Sequence, residues 1–171
     1  MKNKIYFGKL RETAQIPFKR DEDAGYDIYP DFPEEYIAIE PGETVLISTG
    51  ICSAFSSDFV MVVKERSSTG SKGLGQRAGI IDSGYRGEWF IPITNHDMYW
   101  TVFISKLPEE ETISKYFGKI AKPSLVLPYE KAIAQALFVP VPKTEVIELT
   151  AEEIQNISSE RGTGALGSSG K

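Results

Sequence analysis

Asp82, Tyr85 and Arg86 lie within five positions of one another in the run Ala78-Gly79-Ile80-Ile81-Asp82-Ser83-Gly84-Tyr85-Arg86-Gly87-Glu88-Trp89-Phe90-Ile91. A carboxylate fixed on a short polar turn can orient a water and take its proton. Aspartate is also a preferred turn residue, so the position alone decides nothing. A tyrosine three residues on can floor a sugar or a base, although such rings more often serve as half-buried packing. Arg66-Ser67-Ser68, followed by Gly70-Ser71, gathers a guanidinium, hydroxyls and amides, a set suited to phosphate oxygens. A solvated loop has the same composition. The tail from Arg161 to Lys171 combines glycines, Ser168, Ser169 and two cations. It departs from a Walker A loop, since Ala165 stands where the first glycine belongs. An anion-closing arm and a disordered linker both fit it. His96 is the only histidine and Cys52 the only cysteine. A histidine metal site, a Ser-His-Asp triad, an internal disulfide and structural zinc are therefore disfavoured. His96 reads as a surface turn residue and Cys52 as small core filling.

The elements that must position these groups are mostly strands. β-branched and aromatic runs fall at 3–10, 23–30, 37–39, 44–49 and 59–64, the last an unbroken apolar run of a buried strand. Residues 65–77 read as loop, and 78–91 as a hairpin around Asp82-Ser83-Gly84. Strands follow at 99–104, 125–127, 132–141 and Thr144–Leu149. Ile113, Tyr116, Phe117 and Ile120 repeat at one helix face, with Glu109, Glu110 and Glu111 in the first turn, which predicts a short amphipathic helix over 109–120. Thr150 can cap a brief helical turn at 151–155. Trp89 and Trp100 read as core. From Ser158 onward the chain is small, polar and glycine-rich, and is expected to be mobile when nothing is bound. Many short strands with Gly/Pro turns predict an all-β sandwich or jelly roll.

The 171 residues suffice for one β domain, placed at 1–157, plus a glycine-rich arm at 158–171. A net charge of −5 argues against a broad nucleic-acid footprint, though an acidic protein can still hold an anion in a locally basic site. The longest apolar run is too short to span a membrane, and the first residues do not read as a signal peptide. An intracellular, cytoplasmic protein is the simplest expectation.

Taken together, the motifs resemble the homotrimeric dUTPases, deoxyuridine triphosphate nucleotidohydrolases, in five ordered segments. Ala24-Gly25-Tyr26-Asp27-Ile28 resembles the first and Arg66-Ser67-Ser68 the second. Gly79-Ile80-Ile81-Asp82-Ser83-Gly84-Tyr85-Arg86-Gly87-Glu88 resembles the third, nearly residue for residue. Ile133-Ala134-Gln135 resembles the fourth, and Arg161-Gly162 with Gly164 and Gly167-Ser168-Ser169-Gly170 the fifth. The resemblance implies a jelly-roll subunit and three active sites at subunit interfaces. It also implies hydrolysis of dUTP to dUMP and pyrophosphate with Mg²⁺, a step of nucleotide metabolism that keeps uracil out of DNA. By position, Asp82 activates the water that attacks the α-phosphate. Backbone around Gly79, Ile80 and Ile81 reads uracil, and Tyr85 packs under the deoxyribose. Arg66, Ser67, Ser68 and Gln135 hold phosphates, and Asp27 contacts Mg²⁺ through water while the triphosphate holds it. Arg161, Leu166, Gly167, Ser168 and Ser169 close over the nucleotide.

Three departures stand out. Leu166 replaces the aromatic that usually stacks on uracil, which implies a weaker closing contact. Ala132 replaces the arginine that usually precedes Ile-Ala-Gln. The stretch between Asn95 and Ile133 is longer than usual and resembles the insert of phage-encoded members. The surplus, about 97–128, is expected to be a separate surface module that engages a protein partner, and host-cell cytoplasm is the expected location if the chain is phage-encoded. Two rivals remain. One is a dCTP deaminase, which shares fold and third segment but usually lacks the Tyr85-Arg86 pair and needs a glutamate with no counterpart found here. The other is a nucleotide-binding regulator acting on a repressor partner, alone or alongside catalysis.

Overall fold

The computed structural model describes residues 3–120 and 122–164, in two units, one ending at Val141 and the other beginning at Pro142. The first unit is built from strands in four sheets. β1 (Ile5–Lys9) pairs with β5 (Ile51–Phe55). β2 (Gly25–Ile28), β12 (Ala134–Pro140), β6 (Phe59–Lys64) and β8 (Ile80–Ile81) form one antiparallel sheet in that order. β4 (Thr44–Ser48), β9 (Phe90–Asn95) and β7 (Leu74–Gln76) form another. β3 (Tyr36–Ile39), β10 (Thr101–Ser105) and β11 (Ser124–Pro128) form the last. The architecture is the expected all-β, jelly-roll-like one. Three short helices accompany it: α1 (Ser67–Gly70), α2 (Glu109–Phe117) and, in the second unit, α3 (Ala151–Asn156).

Period-two patterning explains how the β2–β12–β6–β8 sheet presents its chemistry. Ile28, Ala134, Ala136, Met61 and Val63 point inward and are fully buried beside Ile47, Ile91 and Ile93 of the facing sheet. The opposite face therefore carries Asp27, Gln135 and Lys64, and the registers Asp27↔Gln135 and Gln135↔Lys64 set these three side by side. A one-residue slip would send all three inward.

Several expectations need correction. Residues 65–77 hold both α1 and β7 rather than loop alone. β5 was missed because Ser53 occupies an inward position and breaks the apolar alternation; it is buried there, accepting a hydrogen bond from Trp89 Nε1 at 3.2 Å. Trp89 is core as expected, but Trp100 is 46% exposed. Asp97 Oδ1 accepts from the Tyr99 and Trp100 amides at 2.7 and 2.8 Å, folding a turn that leaves Trp100 in solvent just before β10. Cys52 is half-buried on the outward side of β5, and His96 is exposed, as its turn predicts.

The helix of the long insert ends at Phe117 rather than 120, because Gly118 takes a φ of 69° that stops it. Tyr116 and Phe117 pack edge-on against Phe103, which is completely buried, at 5.2 and 6.0 Å. Such contacts contribute about 0.5–1.5 kcal/mol each beyond area burial. The insert is not a separable surface module. All five residues of β10 are buried, Val102, Ile104 and Leu127 belong to the core, and β10 pairs with β3 of the main body. β10 and β11 run parallel, which requires a crossover, and α2 lies within it. Removing 104–124 would cut the core itself.

In the second unit, Thr150 caps α3 as expected: its Oγ1 accepts from the Glu153 amide at 3.2 Å while Glu153 Oε2 accepts from the Thr150 amide at 2.7 Å. Thr144–Leu149 is not a strand. Its β-branched pattern finds no ladder partner among the described residues, and Val146 is 94% exposed.

Candidate functional site

The expected site residues gather in two separate places on the first unit. Asp27, Arg66, Ser67, Ser68 and Gln135 line one cleft of about 750 Å³. Gly79, Ile80, Ile81, Asp82 and Tyr85 line a smaller pocket of about 250 Å³. Neither lining includes a residue of the other.

In the cleft, the end of β6 turns into α1, so Arg66, Ser67 and Ser68 follow directly from a buried strand. Thr69 is buried beneath them and fixes the turn: its Oγ1 accepts from the Arg66 amide at 3.1 Å and donates to the Arg66 carbonyl at 3.0 Å. The Arg66 guanidinium bridges to Asp27 at 3.0 and 3.3 Å and donates to the Ala132 carbonyl at 3.2 Å. Gln135 Nε2 donates to the Glu65 carbonyl at 3.0 Å. Its Oε1 lies so close to Gly25 that a Cβ there would come within 2.6 Å, which explains a glycine in the first segment. Ser67 and Ser68 are exposed. Lys19 and Arg20 also line this cleft and were missed; in the sequence they belong to an irregular charged stretch with no pattern to mark them. Arg20 is committed to Asp23 at 2.8 Å. The lining carries Lys19, Arg20 and Arg66 against Glu22, Asp23 and Asp27, so by itself it has no surplus of positive charge.

The smaller pocket is not framed by a hairpin. β8 pairs with β6, with Met61↔Ile81 and Val62↔Ile80, whereas β9 pairs with β4 and β7. The segment between them passes from one sheet to the other, and the pocket opens in the gap. Ala78 and Gly79 enter it with φ of 56° and 102°. A Cβ on Gly79 would come within 2.6 Å of the Val63 carbonyl, so no larger residue fits. A left-handed alanine is unusual and marks a backbone held by its surroundings; here the Val63 amide donates to the Gly79 carbonyl at 2.7 Å. Asp82 and Tyr85 form one turn, closed by the Tyr85 amide donating to the Asp82 carbonyl at 3.1 Å, and both side chains are exposed. Arg86 turns away, donating to the carbonyls of Ser83 and Ser53 at 2.6 and 3.3 Å.

Glu88 closes the segment. Its Oε1 accepts from Arg11 Nη2 at 2.6 Å, from Ser48 Oγ at 2.5 Å and from the Gly50 amide at 2.8 Å. Burial alone would raise its carboxyl above the usual 4.5, but Arg11, Ser48 and the Gly50 amide bring it down to about 2. A depressed carboxyl stabilises the fold fully above pH 4.5, and that stabilisation is lost as pH falls towards 2. Glu88→Gln should be less stable than the parent at neutral pH, by on the order of 2 kcal/mol since Arg11 is partly exposed, and so melt lower, and the gap should close across that window. Melting temperature against pH for both proteins measures it, and a gap that stays constant with pH would refute it.

Arg161, in the second unit, is exposed and its Nε donates to the Gly164 carbonyl at 3.0 Å. Leu166, Gly167, Ser168 and Ser169 lie outside the described residues. No group of three or more His, Cys, Asp or Glu that could hold a metal ion occurs among the described residues. No helix there is long and apolar enough to cross a membrane.

A family model described as dUTPase matches residues 11–106. The deoxyuridine 5'-triphosphate nucleotidohydrolase of Nautilia profundicola is 33% identical over 172 residues, covering 98% of this chain and 99% of that protein. The enzyme of the same name from Clostridioides difficile is 34% identical, covering 95% and 94%. The Staphylococcus bacteriophage 80alpha dUTPase solved with dUpNHpp is 25% identical with a TM-score of 0.73, covering 99% of this chain and 100% of that one. A phage phi11 dUTPase, whose structure describes a structural Mg(II) ion, is 23% identical with a TM-score of 0.65, covering 86% and 97%.

Proposed function

Because the chain belongs to the dUTPase family and hydrolyses dUTP, we propose that it completes each active site with residues from more than one copy of itself. The observation that carries this is the division of the site. The phosphate-type residues and the base- and water-type residues line different pockets of one subunit with no lining residue in common. A second support is the bare segment Thr144–Leu149, whose exposed Val146 and Ile147 suit burial against another copy. A homotrimer with the β body over 1–157 and the arm at 158–171 accommodates both.

In this reading the backbone of Gly79, Ile80 and Ile81 hydrogen-bonds uracil, in a pocket too tight for a 5-methyl group. The Tyr85 ring packs under the deoxyribose, where a 2′-hydroxyl would collide. Arg66, Ser67, Ser68 and Gln135 hold phosphate oxygens. Asp82 orients a water and takes its proton as the water oxygen bonds to the α-phosphorus. The bond from that phosphorus to the bridging oxygen breaks, dUMP retains the new oxygen, and pyrophosphate leaves. Arg161, Leu166, Gly167, Ser168 and Ser169 close over the nucleotide and exclude water.

The donor set fits Mg²⁺ held mainly by the substrate. Asp27 is already shared with Arg66, and no group of three or more candidate ligands is gathered there among the described residues, which suits a water-mediated contact rather than a protein cage. When bound, the ion would offset triphosphate charge that the evenly charged cleft cannot offset alone. The reaction belongs in the cytoplasm, of a host cell if the chain is phage-encoded.

A second role for the insert, docking a protein partner, is favoured by Met98 and Tyr99, which stand in solvent on the turn before β10, and by exposed Ile120 after α2. Turnover of dUTP, dTTP, dCTP and UTP with Mg²⁺ tests the main reading. Pyrophosphate should form from dUTP with a preference of about 10⁴; ammonia released from dCTP would replace this reading with a deaminase.

A further inference from the structure

Tyr85 does not stand on the pocket floor unaided. Its hydroxyl donates to the Glu88 carbonyl at 2.9 Å. A Cβ on Gly87 would come within 2.6 Å of the ring carbon Cζ and 2.9 Å of Cε2, so the hydroxyl end of the ring sits against the Gly87 backbone. The seat of the ring is thus the backbone from Gly87 to the Glu88–Trp89 peptide, and whatever fixes that stretch fixes the ring.

On the downstream side the seat is fixed by the core. The Trp89 amide donates to the Ile51 carbonyl at 2.9 Å, and Thr49 Oγ1 donates to the Trp89 carbonyl at 2.6 Å. On the side of Glu88 itself the fixing is ionic. Arg11 reaches both carboxylate oxygens, Nη2 to Oε1 at 2.6 Å and Nη1 to Oε2 at 3.3 Å, and also donates from Nη2 to Ser48 Oγ. The other edge of the same guanidinium binds Asp31, Nε to Oδ2 at 2.7 Å and Nη2 to the carbonyl at 2.9 Å. Asp31 is buried and accepts from the Tyr129 hydroxyl at 3.2 Å. One planar fork thereby locks two carboxylates 77 and 20 residues away in the chain, a task a single ammonium cannot do. Glu88 borders the base pocket, yet its Oε1 takes three donors and its Oε2 accepts from Arg11 Nη1 at 3.3 Å, so the carboxylate is committed to these partners. A partly buried ion pair such as this is a weak source of stability compared with apolar packing, and the best-attested use of such pairs is to fix one conformation among several.

We infer that Glu88 and Arg11 form a positioning clamp that holds Tyr85 in place and so sets the discrimination between deoxyribose and ribose. Neither is a catalytic residue. The inference rests on the reading of Tyr85 as the residue under the sugar. Loosening the seat lets the ring retreat, which admits a 2′-hydroxyl and weakens the fit to dUTP. It leaves the discrimination against the 5-methyl group, assigned to the backbone of Gly79–Ile81, where it was.

The test measures kcat/KM for dUTP, UTP and dTTP in the full-length parent and in Tyr85→Ala, Glu88→Gln, Arg11→Met and Arg11→Lys. Tyr85→Ala should collapse the dUTP/UTP ratio; if it does not, the reading of Tyr85 itself fails. Given that collapse, Glu88→Gln and Arg11→Met should lower the dUTP/UTP ratio by about tenfold, since small misplacements of a positioned group cost up to about 100-fold. Arg11→Lys should fall between them and the parent. The dUTP/dTTP ratio should stay within about twofold in all three clamp variants, a selectivity split that a general loss of stability does not produce. A dUTP/UTP ratio unchanged in the clamp variants, or both ratios falling together, would overturn the clamp. Should Arg11→Met fail to fold, Ser48→Ala removes one donor from Glu88 and carries the same test, with an expected two- to threefold fall in the dUTP/UTP ratio.

Discussion

Asp82→Asn should lower kcat on dUTP by about 10³-fold while leaving nucleotide binding close to that of the parent. The substitution is nearly isosteric. The turn it sits on is closed by backbone, the Tyr85 amide on the Asp82 carbonyl at 3.1 Å, so the turn should survive it. Asparagine can still orient a water but cannot accept its proton, and general-base contributions run at about 10²–10⁴. Single-turnover hydrolysis measures the first effect, and calorimetric titration with a non-hydrolysable dUTP analogue the second. A variant that keeps more than a tenth of the parent rate would remove Asp82 from the role of base. If the insert docks a partner, this variant should still bind it, which separates regulation from turnover.

The second large effect concerns the shared site. Arg66→Gln takes the proposed phosphate-binding guanidinium from one cleft, and Asp82→Asn takes the proposed base from the other pocket. Each variant alone should be nearly inactive, Arg66→Gln by about 10²–10³-fold from lost electrostatic stabilisation. Unfolded together in equal amounts and refolded, they should recover about a quarter of parental activity, because a site drawing the two residues from different copies is intact in one random combination of four. Recovery that stays at the level of either variant would place both residues of a working site on one chain and dissolve the proposed division. Circular dichroism of each variant guards against misfolding, since Arg66 also ties Asp27 to the Ala132 carbonyl.

What could be read in the sequence was local. The turn at Asp82, the capping box at Thr150 and the acidic start of α2 each depend on groups a few residues apart, and each forms as expected. The family segments are also short runs, and the family they pointed to is the one the family model and relatives show. Errors came where a local pattern needed a distant partner. Thr144–Leu149 has the composition of a strand but no ladder among the described residues. The runs beside Asp82 look like the arms of a hairpin, yet each found its partner in a different sheet.

The long insert shows the same limit. Its length suggested a surface appendage, while the burial of every residue of β10 makes part of it core.

The sequence by itself determined which chemical groups this protein has, and that they are the groups of a dUTP hydrolase. Only the tertiary structure decided how they are grouped: Asp27 beside Gln135 by strand register, Asp82 and Tyr85 in a gap between two sheets, and Glu88 clamped by Arg11. The physical reason is range. Turns and caps are settled by short-range backbone and side-chain hydrogen bonds, whereas register and buried ion pairs are settled by which apolar faces close over one another, and that depends on the whole chain.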